Sequence, residues 1–205
     1  MLVAVTTFTV ASVLVVLLPG PDTLVVVRNL MNGGRRLGLR ASLGAMTGLS
    51  IWVVAASLGL SALLTASHDG YLALRIVGAI YLGWMGLTTL RARSHGDPGA
   101  AAEPRRGLIG SGFTSGLLTD LLNPKVGVFF MTFMPGFIPE GAPVAATSLL
   151  LGGIFVALAA LYYLTLLALS GPVRRWLSDG PVRRWVDRVT GLVLIAFGVR
   201  LAVEP

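Results

Sequence analysis

The chain has 205 residues, 55% of them hydrophobic and 12% charged, with a formal net charge of +7. Soluble domains carry about twice that charged fraction, so the composition is that of an integral membrane protein. With no cysteine, disulfides, thiolate metal sites and a thiol nucleophile are excluded, and the two histidines, His68 and His95, fall in predicted loops. The arginines lie between apolar runs rather than on one soluble face, which argues against nucleic acid as a partner.

From Leu2 to Val27 the chain is almost wholly apolar, long enough to cross a bilayer. No Lys or Arg and no small-residue cleavage site precede this run, so it is expected to stay in the mature protein. Pro19-Gly20-Pro21-Asp22 interrupts it. Each proline lacks an N–H, clashes with the preceding turn and turns its predecessor away from helix. Irregular backbone at membrane depth survives only when protein or a watery cavity surrounds it. A second interruption, Leu122-Asn123-Pro124-Lys125, falls in the run from Leu108 to Ile138.

The hydropathy predicts six spans, roughly 2–27, 42–65, 71–90, 108–137, 144–169 and 189–203. The expected fold is a single all-α transmembrane domain over 1–205: one three-span repeat at 1–90, a linker at 91–107 and a second repeat at 108–205. Thirteen of the sixteen basic residues fall in alternate connections: Arg28, Arg35, Arg36 and Arg40; Arg91, Arg93, Arg105 and Arg106; Arg174, Arg175, Arg183, Arg184 and Arg188. Ser67-His68-Asp69-Gly70 and Pro139-Glu140-Gly141, in the other connections, hold almost none. The arginine-rich loops are therefore expected to be cytoplasmic and both termini external.

An odd number of spans per half sends the second half into the membrane from the opposite side, as in an inverted repeat. A shift of 103 residues lays Pro21 on Pro124, Asp22 on Lys125 and Ser12 on Ser115, with poor matching elsewhere. A shorter repeat, Gly171-Pro-Val-Arg-Arg-Trp176 and Gly180-Pro-Val-Arg-Arg-Trp185, suits an interfacial anchoring loop.

The breaks are the candidate site: Pro19, Gly20, Pro21, Asp22 and Thr23 in the first, Asp120, Asn123, Pro124 and Lys125 in the second. Gly20 permits irregular backbone, and Pro21 suits the first position of a restarting helix. The N–H groups of Asp22, Thr23 and Leu24 are then expected to lack intrahelical partners at a positive dipole end, ready for a carboxylate. The same expectation holds after Pro124, where Lys125 adds a charge. Ionised together, Asp22, Asp120 and Lys125 leave one uncompensated negative charge, which a proton or a substrate ammonium neutralises. The alternative is a permanent Asp22–Lys125 ion pair locking two helices; a charge-swapped double variant is expected to regain folding but not export if the two line a solute site, and to regain both if they are only such a lock. Thr47, Ser50, Ser57 and Ser61 with Gly44 and Gly48, like Gly112 with Gly116, read as packing seams more readily than as a polar path. Trp52, Tyr81, Trp84, Tyr162 and Tyr163 are left as interface or core aromatics, and Arg75 and Arg200 as snorkelling residues.

These residues resemble the LysE/RhtB family of bacterial amino-acid exporters over nearly the whole chain. The resemblance rests on Leu18-Pro19-Gly20-Pro21-Asp22; on Gly34-Arg35-Arg36-Leu37-Gly38 leading to Gly44 and Gly48; on Leu121-Leu122-Asn123-Pro124-Lys125 followed by Phe129-Phe130 and Pro135-Gly136-Phe137; and on Gly78-Ala79-Ile80-Tyr81-Leu82-Gly83-Trp84. The chain departs from the family at Asp120, often Asn there, and at Gly136, often Gln. The resemblance implies a secondary transporter of the bacterial cytoplasmic membrane that exports amino acids or close derivatives, driven by the membrane potential or a proton gradient. No phosphate loop ending in Gly-Lys-Ser/Thr is present, and no cofactor is expected. A lipid-acting membrane enzyme and a non-transporting scaffold stay open as alternatives, as does a homodimer.

Overall fold

The computed structural model describes residues 1–66, 68–91, 110–169 and 180–203. Every described element is helical. In chain order they are α1 (Leu2–Leu17), α2 (Pro21–Ala66), α3 (His68–Arg91), α4 (Phe113–Leu121), α5 (Pro124–Val128), a π-helical turn (Phe129–Phe133), a 3-10 turn (Met134–Phe137), α6 (Val144–Ala168) and α7 (Gly180–Val203). Pro21–Gly59, Leu72–Leu90 and Val144–Ala168 are long and apolar enough to cross a membrane, while Leu2–Leu17 and Gly191–Arg200 are shorter apolar helices.

The helix boundaries correct the sequence reading in three places. Residues 28–41, expected as a loop, are helical except at a corner of two glycines, Gly33 (φ −137°) and Gly34 (φ 65°, ψ −167°). Arg, Leu and Ala are good helix formers, so charge alone does not unwind this stretch. Gly34 occupies the left-handed region that glycine enters without penalty. Leu30 packs on Gly38 across the corner, so the limbs on either side fold back on each other. The fourth span breaks at Asn123-Pro124 between α4 and α5 as expected, but beyond Val128 it runs as two irregular turns rather than a continuing α-helix. The last helix begins at Gly180, well before the expected 189. The linker residues 92–109, with His95, and the first copy of the Gly-Pro-Val-Arg-Arg-Trp repeat lie outside the described residues; the second copy opens α7.

α2 packs on α4 and α6, and α3 packs on α7. The α2–α4 contact is backbone on backbone: a Cβ on Gly44 would run into the Phe113 carbonyl, and one on Gly116 into the Ala41 carbonyl. The glycines are therefore a packing seam. The hydroxyls of Thr47, Ser50 and Ser57 donate to the carbonyls of Leu43, Met46 and Val53 in their own helix rather than lining a path. Ser61 falls where side chains are outside the description.

The core is aromatic. Phe129 and Phe155 lie 4.8 Å apart, Phe8 meets Phe137 edge-on at 5.4 Å, and Phe133 stacks on Phe197 at 4.5 Å. The Arg200 guanidinium lies 4.6 Å over the Phe137 ring, a cation–π contact that anchors α7 on the 3-10 turn. Arg35 donates to the Ala168 carbonyl at 3.2 Å, placing a cation on the negative end of α6.

Candidate functional site

α1 ends at Leu17, and Leu18 turns to extended backbone (φ −77°, ψ 108°). Pro21 then opens α2. The Leu24 N–H is not free as expected, because it donates to the Gly20 carbonyl at 3.0 Å. The amides of Asp22 and Thr23 find no acceptor among the described residues.

The second break is built differently. Asn123 sits in extended backbone (φ −79°, ψ 105°) ahead of Pro124 and caps α5. Its side-chain oxygen accepts from the Lys125 N–H at 3.1 Å, and its carbonyl accepts from Val126 at 3.1 Å and Gly127 at 3.3 Å. Asparagine is among the preferred capping residues for this reason. The α5 terminus therefore has its donors taken and is not the open anion site that the sequence suggested.

The two breaks touch. Asn123 Nδ2 donates to Asp22 Oδ1 at 3.3 Å, and the Tyr163 hydroxyl on α6 donates to Asp22 Oδ2 at 2.9 Å. Lys125, 8% exposed, donates through Nζ to the carbonyls of Leu18 at 2.9 Å and Val15 at 3.1 Å. Those carbonyls are orphans of the α1 C-terminus, where a cation is favoured. Asp22 and Lys125 do not form an ion pair within 4.0 Å. They instead line one cavity of about 20 Å³ together with Phe129, Phe155, Tyr162 and Tyr163. That volume admits about one water and no larger solute, so the site is shut in this conformation.

Gly20 makes this proximity possible, since a Cβ there would lie 2.6 Å from Asp22 Oδ1 and 3.5 Å from Lys125 Nζ. Thr23 is buried beside Tyr162, and Pro19 and Pro21 are half-buried. Pro124 is exposed and lines a separate apolar groove of about 320 Å³ with Trp52, Tyr81 and Met131. Asp120 is apart from the hydrogen-bonded group: it is 0% exposed, and neither carboxyl oxygen has a partner.

Tyr163 joins this group through Asp22, although the sequence leaves it unassigned among the interface or core aromatics. Its only signal was a Tyr162–Tyr163 pair in an otherwise apolar helix. Asn29 also went unnoticed. It donates to Ser115 Oγ at 3.1 Å and accepts from the Gly112 N–H at 2.8 Å, fixing the start of α4 against α2.

Residues 13–205 match the family profile described as LysE type translocator. The chain is 30% identical to "Uncharacterized membrane protein YrhP" of Bacillus subtilis (strain 168) over 195 residues, 91% of this chain and 92% of that protein. It is 29% identical over 201 residues to the leucine efflux protein of Enterobacter sp. (strain 638), covering 96% of this chain and 93% of that one. The leucine efflux protein of Salmonella typhimurium (strain LT2) is 30% identical over 198 residues, with 96% and 93% covered. No solved structure matches this chain.

Proposed function

The chain belongs to the LysE type translocator family, and from that premise we propose that it exports an amino acid, or a close derivative, by alternating access around its two helix breaks. The observation that carries this reading is that Asp22 and Lys125, one from each break, line one small cavity, with Asn123 donating to Asp22 beside it. Half-helices meeting at a shared site are the usual transporter design. The six-span inverted repeat and the cytoplasmic arginine-rich loops belong to the same proposal, as does placement in the bacterial cytoplasmic membrane.

The chemistry divides naturally. The free amides of Asp22 and Thr23, at the positive end of α2, receive the substrate carboxylate. The Asp22 carboxylate faces the ammonium. Phe129 and Phe155 offer an apolar wall to an aliphatic side chain, which makes leucine the first solute to test, in line with the names of two relatives. Lys125 ties α5 to the end of α1 while the site is shut, and an arriving carboxylate competes with the Val15 and Leu18 carbonyls for its ammonium. Transport is driven by the proton gradient or the membrane potential.

Counterflow of labelled leucine and a panel of amino acids in proteoliposomes tests the reading. Exchange of unmodified solute is expected; none for any amino acid overturns it.

A further inference from the structure

We propose that Asp120 is the carrier of a counter-proton, while Asp22 is kept for the ammonium of the solute. This deepens the export reading above and rests on it. The two carboxyls sit in opposite surroundings. Asp22 lines the cavity and already accepts from Asn123 and Tyr163, as a fixed acceptor aimed at a cation should. Asp120 is 0% exposed, and neither Oδ1 nor Oδ2 receives a hydrogen bond. It is wedged against the bare backbone of Gly48 on α2, where a Cβ would stand 2.6 Å from Oδ2. No donor reaches it from that side.

The ionisable groups that act on Asp120 are Asp22 at the start of α2 and Lys125 on α5, with Tyr163 on α6 facing the same cluster. One ammonium among these two carboxyls leaves a single surplus negative charge when all are ionised. An unpaired carboxylate in such a place is strongly disfavoured. Two events relieve the surplus: a proton on Asp120, or a solute ammonium at Asp22 whose own carboxylate is held by the free amides at the positive end of α2. The empty site therefore returns with the proton, and the loaded site travels without it.

The step balances. As the solute binds from the cytoplasm, the Asp120 O–H bond breaks and its proton passes to water admitted by the opening cavity. After release outside, the carboxylate takes a proton from external water. One proton enters for each solute that leaves, and no other reactant is needed.

The test uses the full chain in proteoliposomes with leucine, or the best solute of the panel, as probe. Asp120→Asn keeps the shape and removes the titrating group. Exchange at equal pH is expected to persist and to become independent of pH. Accumulation driven by a pH gradient, and alkalinisation of the proton-source side, should be lost. Gradient-driven accumulation surviving in Asp120→Asn overturns the proposal. So does loss of exchange in a variant that stays monodisperse, since Asp120 would then belong to the solute site. A second measurement covers a variant that fails to fold. Adding the probe to wild-type protein in weakly buffered detergent must release protons, and Asp120→Glu must retain that release. Silence from the wild type, with exchange intact, also overturns the proposal. Absence of exchange in the wild type is a different result and strikes the export reading itself.

Discussion

Tyr163 donates its hydroxyl to Asp22 at 2.9 Å, so α6 holds the carboxylate that stands at the first turn of α2. Tyr163 is itself 2% exposed, and its ring has no room to swing away. Tyr163→Phe removes one oxygen and leaves the packing in place. Losing a bond to this half-buried carboxylate is worth about 1–3 kcal/mol. We expect a folded protein whose half-saturating solute concentration rises roughly tenfold, because each 1.4 kcal/mol is about a factor of ten. Efflux kinetics in preloaded cells measure this, and an unchanged half-saturation would show that the hydroxyl does not orient Asp22 for the solute.

The partners of Lys125 reverse what its charge alone suggested about a swap with Asp22. Were the two an ion pair, exchanging them would restore folding. Lys125 is instead bonded to the carbonyls of Val15 and Leu18. A carboxylate at 125 faces those oxygens with no hydrogen to offer. The double variant Asp22→Lys with Lys125→Asp is therefore expected to be no more stable than Lys125→Asp alone, about 3–5 kcal/mol below wild type, the range for breaking a buried charged contact. Thermal unfolding in detergent decides it; a swap that regains wild-type stability would contradict the geometry.

Two glycines should respond oppositely to alanine. A Cβ on Gly48 lies 2.6 Å from Asp120 Oδ2 and 2.9 Å from its Cβ. Gly48→Ala must push α4 off α2, at roughly 1–3 kcal/mol for overpacking. Gly153, exposed on α6, has nothing within 4 Å of an added Cβ. Gly153→Ala should be neutral or stabilising by up to about 1 kcal/mol, since alanine loses less backbone entropy in a helix. Equal unfolding midpoints for the two variants would remove the tight seam from the description.

The arginine asymmetry predicts the proposed orientation. The chain has no cysteine, so Glu140→Cys and Arg36→Cys each report alone. In intact cells an impermeant maleimide should label position 140 and spare position 36. The reverse pattern would invert the proposed topology and, with it, the direction of transport.

Much of the site's skeleton was legible because proline and glycine speak locally. Pro19, Gly20 and Pro21, and later Pro124, mark the ends and starts of helices that the structure places within a residue or two. Asp22 and Lys125 were conspicuous as charges in apolar runs. Their partners were not, because the acceptors of Lys125 are backbone carbonyls, which every residue carries and no sequence advertises. Tyr163 stayed hidden for a related reason: a tyrosine in an apolar helix looks alike whether its hydroxyl meets lipid headgroups or a carboxylate 141 positions away. Residues 28–41 misled through their arginines, since polarity predicts exposure, whereas helix persistence depends on backbone preference.

The glycine seams bear on how the molecule opens. α2 and α4 touch through Gly44 and Gly116, and α3 and α7 through Gly86 and Gly191, where a Cβ on Gly86 would lie 2.6 Å from the Gly191 carbonyl. In each pair one helix comes from the first half of the chain and the other from the second. Backbones pressed together have no side chains to re-seat, so each pair behaves as one strut, and the struts bolt the halves crosswise. A seesaw of half against half would have to shear both bolts. The parts outside these struts are slighter: α1, packed on α6 and tied at its end by the Lys125 ammonium, and α5 with the irregular turns that follow it. On the export reading proposed above, the gate would be, in engineering language, a pair of latches on a fixed frame rather than two doors on a common hinge.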